Sequence, residues 1–437
     1  MPKIDLSLII PCYREESHLA ASVRTLTAVL DQTRWKYELI FVDDGSPDGT
    51  RGVIKGLCRD RANARAIFHD RNRGRGGAVK TGVAQARGRV AGFLDIDLEV
   101  GAHYIPALVR LIEEGSCDVA TGHRHYLLSQ TGGWVRHILS HGYRGICAFF
   151  LNFGVKDSET GCKFFRLEPC RDIILSCASD GWFWDTEVMA RAALADLRII
   201  EMPVLFLRRY DKESTVRIVR DTWNYLVELH RFRYQVGLGM LDRSPIYWTG
   251  IGYDAFMRLL CGRANTRTLA RVAGLIPAGS SVTDVCCGTA RLYRDHLRGR
   301  GCRYTGHDAS GHFVMSIRRR GVPAKLRDAL TDPIDPADYV VMCSSFYHFH
   351  DRRTDMLERM RKAAGKAVII SEPVRNAAAS SCGPLAALAR WLTNPGVGDY
   401  SKRFDLESFR GFAQEHMASE FFYETGDRNA IAVFRIQ

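Results

Sequence analysis

The sequence predicts an α/β protein of two domains, each built on a mainly parallel sheet. The length of 437 residues exceeds what one ordinary hydrophobic core accommodates. Short apolar runs alternate with helical patterns in both halves, as strand–helix–strand units require. In each half, predicted strands end in turns rich in acidic or small residues. Proline and turn formers cluster at residues 242–245, so we predict one domain at 1–240 and a second at 241–437.

The composition narrows the class of protein and its partners. Hydrophobic residues make up 46% of the chain and charged residues 25%, values typical of a globular protein. The sequence contains no run of about 18 apolar residues, so we predict no membrane span. We also predict no signal peptide before the first strand. The 13 cysteines lack zinc-site spacing, which favours reduced thiols in the cytoplasm. A net charge of +12 favours nucleotide phosphates, lipid phosphates or the acidic inner face of a membrane. Without a nucleic-acid-binding module, we predict no nucleic acid partner.

An acidic segment directly after a buried strand is the central feature of the first half. The apolar run 90–94 is followed by Asp95, Asp97 and Glu99 at alternate positions. Alternate side chains of an extended chain point the same way, so these three carboxylates are expected to converge. Mg²⁺ and Mn²⁺ prefer oxygen ligands and often bind substrate phosphates as well. We therefore predict a Mg²⁺ or Mn²⁺ site here, with a solvated turn after an edge strand as the alternative.

Two further loops of the first half follow predicted strands. Strands at 6–11 and 37–42 flank a helix at 17–30, and the second strand runs into Asp43 and Asp44. Ligands of open α/β sheets bind at the carboxyl ends of strands, so both acidic patches are expected to face one crevice. Residues 70–82 combine glycine with arginine, which suits phosphate binding. A flexible turn that opens a helix explains these glycines equally well.

This order of motifs resembles family 2 GT-A glycosyltransferases, in particular the polyprenyl-phosphate hexosyltransferases of the dolichyl-phosphate mannose synthase type. The resemblance extends over about residues 1–235. It is carried by the glycine-rich loop and by segments 9–16, 42–50 and 94–99.

Three later segments support the same subfamily, namely 122–124, 157–166 and 201–209. Residues 210–215 keep the serine but not the lysine of the family's usual pattern. This departure concerns the lipid-phosphate acceptor rather than the nucleotide donor.

The resemblance implies an inverting, metal-dependent transfer of mannose or glucose from a GDP- or UDP-sugar to a polyprenyl phosphate. The implied nucleotide-sugar-binding residues are Pro11, Tyr13, Glu15, Asp43, Asp44, Lys80 and Asp95. The implied catalytic residues are Asp97, Arg124, Asp185 and Arg209. A metal ion would neutralise the diphosphate leaving group, and the arginines would neutralise phosphate charge.

The acceptor decides whether the first domain needs a base. A phosphate is already ionised at neutral pH, whereas a hydroxyl would need Asp157 or Asp185. Asp185 also fits an acidic helix N-terminus. Residues 133–153 mix aromatic residues with Arg136, a further phosphate-binding candidate, and predict either a helix in the membrane interface or one packed on the domain. Any membrane contact is therefore expected to be peripheral.

The second half contains a strand, a small-residue turn and a helix start at 281–291, after helical patterns at 254–260 and 266–273. Asp308 ends the next strand, where doubly wound folds bind ribose hydroxyls. Residues 245–437 resemble class I S-adenosylmethionine-dependent methyltransferases, with Ala290 in place of the last glycine of the turn. The resemblance implies a doubly wound domain that binds S-adenosylmethionine. The implied cofactor-binding residues are Asp284, Cys286, Gly288, Asp308 and Asp328.

The role of the second half leaves alternatives open. A hydroxyl acceptor would need a base, for which His348 or His350 is the candidate, although both fit an ordinary helix start. An NAD-binding domain is the alternative fold, but its G-x-G-x-x-G turn is absent. We expect a bifunctional enzyme whose domains act in one pathway. The alternatives are a tailoring enzyme for a small-molecule or peptide hydroxyl, and a non-catalytic scaffold as the second domain.

Overall fold

The structure is a computed structural model of the chain. It describes residues 4–126, 153–207, 218–236, 244, 250–375, 391, 402–425 and 427–436. The chain divides into two compact units, Met1–Arg231 and Phe232–Gln437, and the domain boundary predicted at 240 lies a few residues after this division. Among the described helices, none combines the length and hydropathy needed to span a membrane.

The first unit alternates strands and helices along the chain. Its strands are β1 (Leu6–Cys12), β2 (Tyr37–Asp43), β3 (Ala64–Phe68), β4 (Val90–Leu94), β5 (Val119–Tyr126), β6 (Cys162–Arg166) and β7 (Ile199–Phe206). Its helices are α1 (Leu19–Leu30), α2 (Thr50–Asp60), α3 (Arg75–Gln85), α4 (Ile105–Glu113), α5 (Leu167–Leu175) and α6 (Trp184–Leu194), followed by α7 (Ile218–Gln235), which runs past the division between the units.

The strands of the first unit form one sheet in the order β3-β2-β1-β4-β6-β5-β7. β1 pairs in parallel with both β2 and β4, while β6 is antiparallel to β4 and β5. Alternate residues of β1 enter different apolar clusters, Leu8 and Ile10 in one and Ile9 in the other, so both faces of the sheet are covered. The connections diverge between β1 and β4, and this is where an open sheet binds ligands.

The acidic segment after β4 does not continue the strand. β4 ends at Leu94, and the Leu98 N–H donates to the Asp95 carbonyl oxygen over 3.1 Å. Leu98 has a φ of 57°, a left-handed conformation that breaks any extended run. The prediction that Asp95, Asp97 and Glu99 point the same way as alternate strand residues is therefore wrong, because these residues lie on a turn.

The second unit contains the other half of the regular structure. Its strands are β8 (Ser281–Val285), β9 (Arg303–Asp308), β10 (Ala324–Leu326), β11 (Ala337–Cys343), β12 (Ala364–Pro373), β13 (Glu420–Phe422) and β14 (Asn429–Arg435). Its helices are α8 (Gly250–Gly274), α9 (Gly311–Arg318), α10 (Arg353–Ala363) and α11 (Leu406–Glu415). Helix α8 is continuous, so the predicted interruption between 260 and 266 is wrong. The glycine in that stretch costs about 1 kcal/mol, too little to end a long helix.

The strands of the second unit form a sheet in the order β10-β9-β8-β11-β12-β14-β13. The first five are mutually parallel, in the 3-2-1-4-5 order of doubly wound folds. β14 is antiparallel to both β12 and β13. Alternate residues of β11 enter two apolar clusters, Val340 and Met342 in one, Tyr339 and Val341 in the other. The doubly wound sheet predicted for this half is present.

Candidate active site

A cavity of about 500 Å³ opens at the carboxyl edge of the first sheet. The loops after β1, β2 and β4 contribute to its wall, as the parallel strand order requires. Helix α7 and the loop before α6 complete it. Its lining includes Pro11, Tyr13, Glu15, Asp44, Gly74, Arg75, Asp95, Asp97, Trp182, Tyr225 and Glu228.

Two of the three predicted metal ligands reach this cavity. Asp95 and Asp97 line it, whereas Glu99 does not. Burial raises the pKa of Asp95 above its ordinary value, and the Asp97 carboxylate adds to the rise while the Arg75 guanidinium opposes it. Within the described part of the chain, no three His, Cys, Asp or Glu side chains converge as a metal centre. Two carboxylates still fit Mg²⁺ or Mn²⁺, because substrate phosphates and water commonly complete such sites.

The position of Asp95 depends on the glycine that directly precedes the neighbouring strand β6. The Asp95 N–H donates to the Gly161 carbonyl oxygen over 2.8 Å. A Cβ atom at Gly161 would collide with the Asp95 carboxylate. The absence of a side chain at Gly161 therefore gives this carboxylate its place in the cavity wall.

Arg75, which the sequence did not single out, connects the cavity to buried charges. Its Nη1 donates to Asp95 Oδ2 over 2.7 Å and its Nη2 donates to Asp185. The other oxygen of Asp185 accepts from Lys163 Nζ over 2.6 Å. The guanidinium also lies 4.5 Å from the centre of the Trp182 ring. The result is an alternating chain of acids and bases that leads from the cavity into the core.

The candidate base Asp185 lies in the first turn of α6 and is fully buried. It does not line the cavity, and its two oxygens pair with Arg75 and Lys163. This arrangement favours a positioning role, and the role of a base stays a prediction. The other candidate base, Asp157, is also buried and pairs with Arg124.

Arg124 is engaged in a two-point contact rather than facing the cavity. Its Nε and Nη2 each donate to the Asp157 carboxylate over 2.8 Å. Glu159 lies 3.6 Å away as a second acidic neighbour. The charge of Arg124 is thus already balanced inside the fold. Its predicted role in neutralising phosphate stays a prediction.

The acids after β2 hold loops together. Asp44 accepts hydrogen bonds from the backbone N–H groups of Arg73 and Gly74 over 2.9 and 2.8 Å. His69 Nδ1 lies 2.7 Å from the same carboxylate. Asp43 is fully buried and accepts from the Ser46 N–H over 3.2 Å. Of these two acids only Asp44 lines the cavity, where it anchors the glycine-rich loop.

The remaining residues predicted for the first unit fall into three groups. Pro11, Tyr13 and Glu15 line the cavity. Lys80 does not, and its Nζ pairs with Asp180 over 2.6 Å. The predictions for Arg136, Arg209, the segment 210–215 and almost all of 133–153 fall outside the described residues.

In the second unit, the acid at the end of β9 binds the turn after β8. Asp308 accepts from the Gly288 N–H and the Ser310 N–H, each over 2.8 Å. Cys286, Gly288 and Ala290 have φ values of 58°, 54° and 54°. The turn therefore coils through repeated left-handed conformations, which are costly for Cys286 and Ala290.

The other predicted cofactor residues surround this turn. Burial raises the pKa of the Cys286 thiol well above its ordinary value, and the charges of Asp308, Asp284 and Asp328 add to the rise. Burial also raises the pKa of Asp284 to about 7, although the Tyr304 hydroxyl donates to it. The acids predicted to bind the cofactor therefore lie near one thiol.

The candidate bases of the second unit lie in a short 3₁₀ segment, Phe346–Arg352. The His348 ring lies 4.0 Å from the Tyr347 ring, and His350 Nδ1 lies 3.3 Å from Asp351. Sequence reasoning missed Glu372, a fully buried acid near the end of β12. It accepts from the Phe346 N–H over 3.0 Å, and burial raises its pKa to about 8.

Comparison with known proteins identifies the first unit. Residues 7–174 match glycosyl transferase family 2. A dolichyl-phosphate beta-glucosyltransferase of Drosophila melanogaster is 32% identical over 221 residues, which cover 46% of this chain and 67% of that protein. The chain belongs to glycosyl transferase family 2. Its first unit has the GT-A fold, which confirms the sequence prediction for this half.

Other relatives of this family 2 chain match part of its length. Glycosyltransferase AglD of Haloferax volcanii is 30% identical over 224 residues, which cover 50% of this chain but only 35% of AglD. A crystal structure of glucosyl-3-phosphoglycerate synthase from Mycobacterium tuberculosis, in complex with Mn²⁺, UDP and glucosyl-3-phosphoglycerate, aligns with a TM-score of 0.41 and 17% identity. That alignment covers 52% of this chain and 80% of the other. The family match ends at residue 174, and these comparisons give no support to a methyltransferase in the second unit.

Proposed function

We propose that the first unit transfers a hexose, preferably glucose, with inversion from a nucleoside diphosphate sugar to a polyprenyl phosphate. The observation that carries this proposal is the cavity at the carboxyl edge of the sheet, where Asp95, Asp97 and Arg75 meet. The choice of glucose and of a lipid phosphate is supported by the name of the Drosophila relative, a dolichyl-phosphate beta-glucosyltransferase. A lipid acceptor also requires contact with a membrane surface, which we expect to be peripheral and at its cytoplasmic face.

In this proposal Asp95 and Asp97 hold a Mg²⁺ or Mn²⁺ ion. When bound, the ion supplies positive charge that makes the diphosphate a better leaving group. Arg75 adds a planar donor in the same wall, suited to phosphate oxygens. Asp44 keeps the glycine-rich loop closed around the nucleotide through the N–H groups of Arg73 and Gly74.

The ion pairs of Asp185 favour a phosphate acceptor over a hydroxyl acceptor. A phosphate attacks as an anion and needs no base, whereas a hydroxyl must lose a proton to a nearby group. Asp185 is the candidate base on α6, yet both of its oxygens form ion pairs with Arg75 and Lys163. We therefore rank the small-molecule or peptide hydroxyl as the second candidate acceptor.

The test incubates the chain with UDP-glucose or GDP-mannose, Mn²⁺ and a polyprenyl phosphate in detergent. We expect labelled sugar in the organic phase with UDP-glucose above all. Asp97→Ala should abolish that product, while Asp60→Ala, which alters an exposed acid at the end of α2, should not. Sugar recovered only in the aqueous phase would reject the lipid acceptor.

For the second unit we infer an S-adenosylmethionine-dependent methyltransferase that acts in the same pathway. The supporting observation is the Gly288–Asp308 hydrogen bond of 2.8 Å at the carboxyl edge of a doubly wound sheet. The residues fit the cofactor, because Asp308 ends β9 beside the turn after β8, and a carboxylate is an acceptor that suits ribose hydroxyls. When bound, the cofactor supplies the methyl group. Asp284, Cys286, Gly288 and Asp328 would complete its site, and His348 would accept a proton from the methyl acceptor.

Calorimetric titration separates the three roles considered for the second unit. S-adenosylmethionine should bind the full chain, and Asp308→Ala should weaken that binding. Binding of NADH instead would identify a dinucleotide-binding domain. No heat with either ligand would favour a non-catalytic scaffold.

A further inference from the structure

Arg75 lies on the carboxylate that the proposed metal site needs. Its Nη1 donates to Asp95 Oδ2 over 2.7 Å, and its Nη2 donates to Asp185. Its Nε has no hydrogen-bond partner among the described residues. One guanidinium therefore joins a cavity carboxylate to a fully buried one and retains an unused donor.

A divalent ion that arrives alone would have to share the Asp95 carboxylate with Arg75. Three carboxyl groups, those of Asp95, Asp97 and Asp185, lie within electrostatic reach of one another. Arg75 and Lys163 contribute two positive charges through their ion pairs. An added divalent ion would share the Asp95 carboxylate with the guanidinium, and two cations at one carboxylate repel each other. A nucleoside diphosphate brings enough negative charge to balance both.

We propose that Arg75 competes with the divalent ion for Asp95, so that the metal binds firmly only together with a nucleoside diphosphate. This inference rests on the proposed function of the first unit. In the free protein the guanidinium keeps Asp95 paired. An entering diphosphate offers the guanidinium the two-point contact that arginine favours, and Asp95 is released to the ion.

Two features of the fold equip Arg75 for this exchange. It is the first residue of α3, and a helix N-terminus attracts anions through its free N–H groups and its dipole. The guanidinium also lies 4.5 Å from the centre of the Trp182 ring, a contact that does not require Asp95.

The buried end of the network stays neutralised during the exchange. Lys163 Nζ lies 2.6 Å from Asp185 and is itself fully buried. Asp185 therefore keeps a cation when Arg75 turns to another partner. For the same reason, removing the Arg75 charge leaves no unpaired carboxylate in the core, so a variant at this position is expected to fold.

The test measures Mn²⁺ binding to the full chain by electron paramagnetic resonance of the free ion, with and without UDP. Arg75→Met removes the competing charge and retains a long side chain. Without UDP, the variant should bind Mn²⁺ about tenfold more tightly than the wild type. The gain in Mn²⁺ affinity that UDP produces should shrink by about the same factor, because such coupling is reciprocal. Arg24→Met removes an exposed arginine from α1 and should change neither affinity.

Two outcomes separate this inference from the proposed function. Equal Mn²⁺ affinities of the wild type and Arg75→Met, both with and without UDP, would overturn the competition and leave the metal site standing. No Mn²⁺ binding to the wild type with UDP or GDP would overturn the proposed function itself. Arg75→Lys provides a second variant: an ammonium cannot bridge two carboxylates as a guanidinium does, so its Mn²⁺ affinity without UDP should be intermediate.

Discussion

Both units bury carboxylates near the carboxyl edge of a sheet, but they balance these charges differently. In the first unit Asp157 forms a salt bridge of 2.8 Å with Arg124, and Asp185 forms one of 2.6 Å with Lys163. In the second unit Asp284 and Glu372 are buried, and each accepts a hydrogen bond from a neutral donor. Their partners are a tyrosine hydroxyl and a backbone N–H.

The two units therefore differ in how the charge of a buried carboxylate is compensated. A neighbouring cation favours the ionised form of a carboxylate, and the same pairs hold Arg124 and Lys163 in place. A carboxylate buried beside neutral donors moves towards the neutral form, and burial raises the pKa values of Asp284 and Glu372 to about 7 and about 8. The first unit should therefore be sensitive to the loss of a cation, and the second to the loss of a proton.

The largest effect is expected from a substitution that breaks a buried salt bridge of the first unit. Lys163→Met would leave Asp185 with Arg75 alone, in a site where Lys163 and Asp185 are both fully buried. Breaking a buried pair costs about 3–5 kcal/mol of unfolding free energy when the remaining charge is left alone. Because Arg75 still pairs with Asp185, the expected loss lies at the low end, at most about 3 kcal/mol. Hydrogen exchange followed by mass spectrometry should show faster exchange in β6 and unchanged exchange in β12. The exposed Lys36 provides the control Lys36→Met, and equal protection in both variants would contradict the role of the pair.

The second-largest effect is expected from a substitution that displaces a carboxylate in the cavity wall and leaves the core unchanged. Gly161→Ala places a Cβ atom against the Asp95 carboxylate, which must move away from the proposed metal site. Displacing a positioning group by about 1 Å can cost about 100-fold in rate, and we expect a loss of sugar transfer of that order. Gly52→Ala on α2 meets no neighbouring atom and should retain full activity. An active Gly161→Ala variant would show that Asp95 does not need its present position.

A smaller effect is expected in the second unit, where stability should depend on the protonation of Glu372 rather than on a paired cation. The pKa of Glu372 rises from 4.5 to about 8 on folding, so its contribution to stability is complete below the unfolded value and is lost as the pH rises towards 8. Hydrogen exchange in β12, corrected for intrinsic rates, should indicate falling stability between about pH 5 and pH 8. Glu372→Gln should flatten this dependence. An unchanged pH profile in the variant would mean that Glu372 is ionised in the folded chain.

The smallest effect concerns the turn after β8. Ala290 has a φ of 54°, a conformation that costs a residue with a Cβ atom about 1–2 kcal/mol. Ala290→Gly should therefore stabilise the second unit by up to about 1 kcal/mol, after the entropy cost of glycine in the unfolded chain. Ala270→Gly, at an exposed position of α8, should destabilise it by about 1 kcal/mol. Urea unfolding of both variants checks that the signs are opposite.

The strands and their functional ends could largely be predicted from the sequence. The strand predicted at 37–42 is observed as Tyr37–Asp43, and that predicted at 6–11 as Leu6–Cys12. Short apolar runs closed by turn formers carry this information locally. The same local signal brings Asp95 and Asp97 to the cavity, because parallel strands present their carboxyl ends at one edge.

The partners of the charged residues could not be predicted in the same way. Arg75 and Asp185 are 110 positions apart, and no spacing rule connects residues that meet only through the folded sheet. Asp44 follows β2 and Asp308 ends β9, where the sequence indicates ligand binding. Both nevertheless accept hydrogen bonds from backbone N–H groups of glycine-containing turns. A sequence shows that an acid is available at such a point, and the fold decides which donor reaches it.

The most direct test of the central claim is calorimetric titration of UDP into the full chain, with and without Mn²⁺. The claim is that Asp97 and Asp95 hold a divalent ion that binds the diphosphate of the donor. We predict that Mn²⁺ tightens UDP binding by at least about tenfold in the wild type and in Asp60→Ala, and that this gain disappears in Asp97→Ala. The same Mn²⁺-dependent gain in Asp97→Ala as in the wild type would contradict the account.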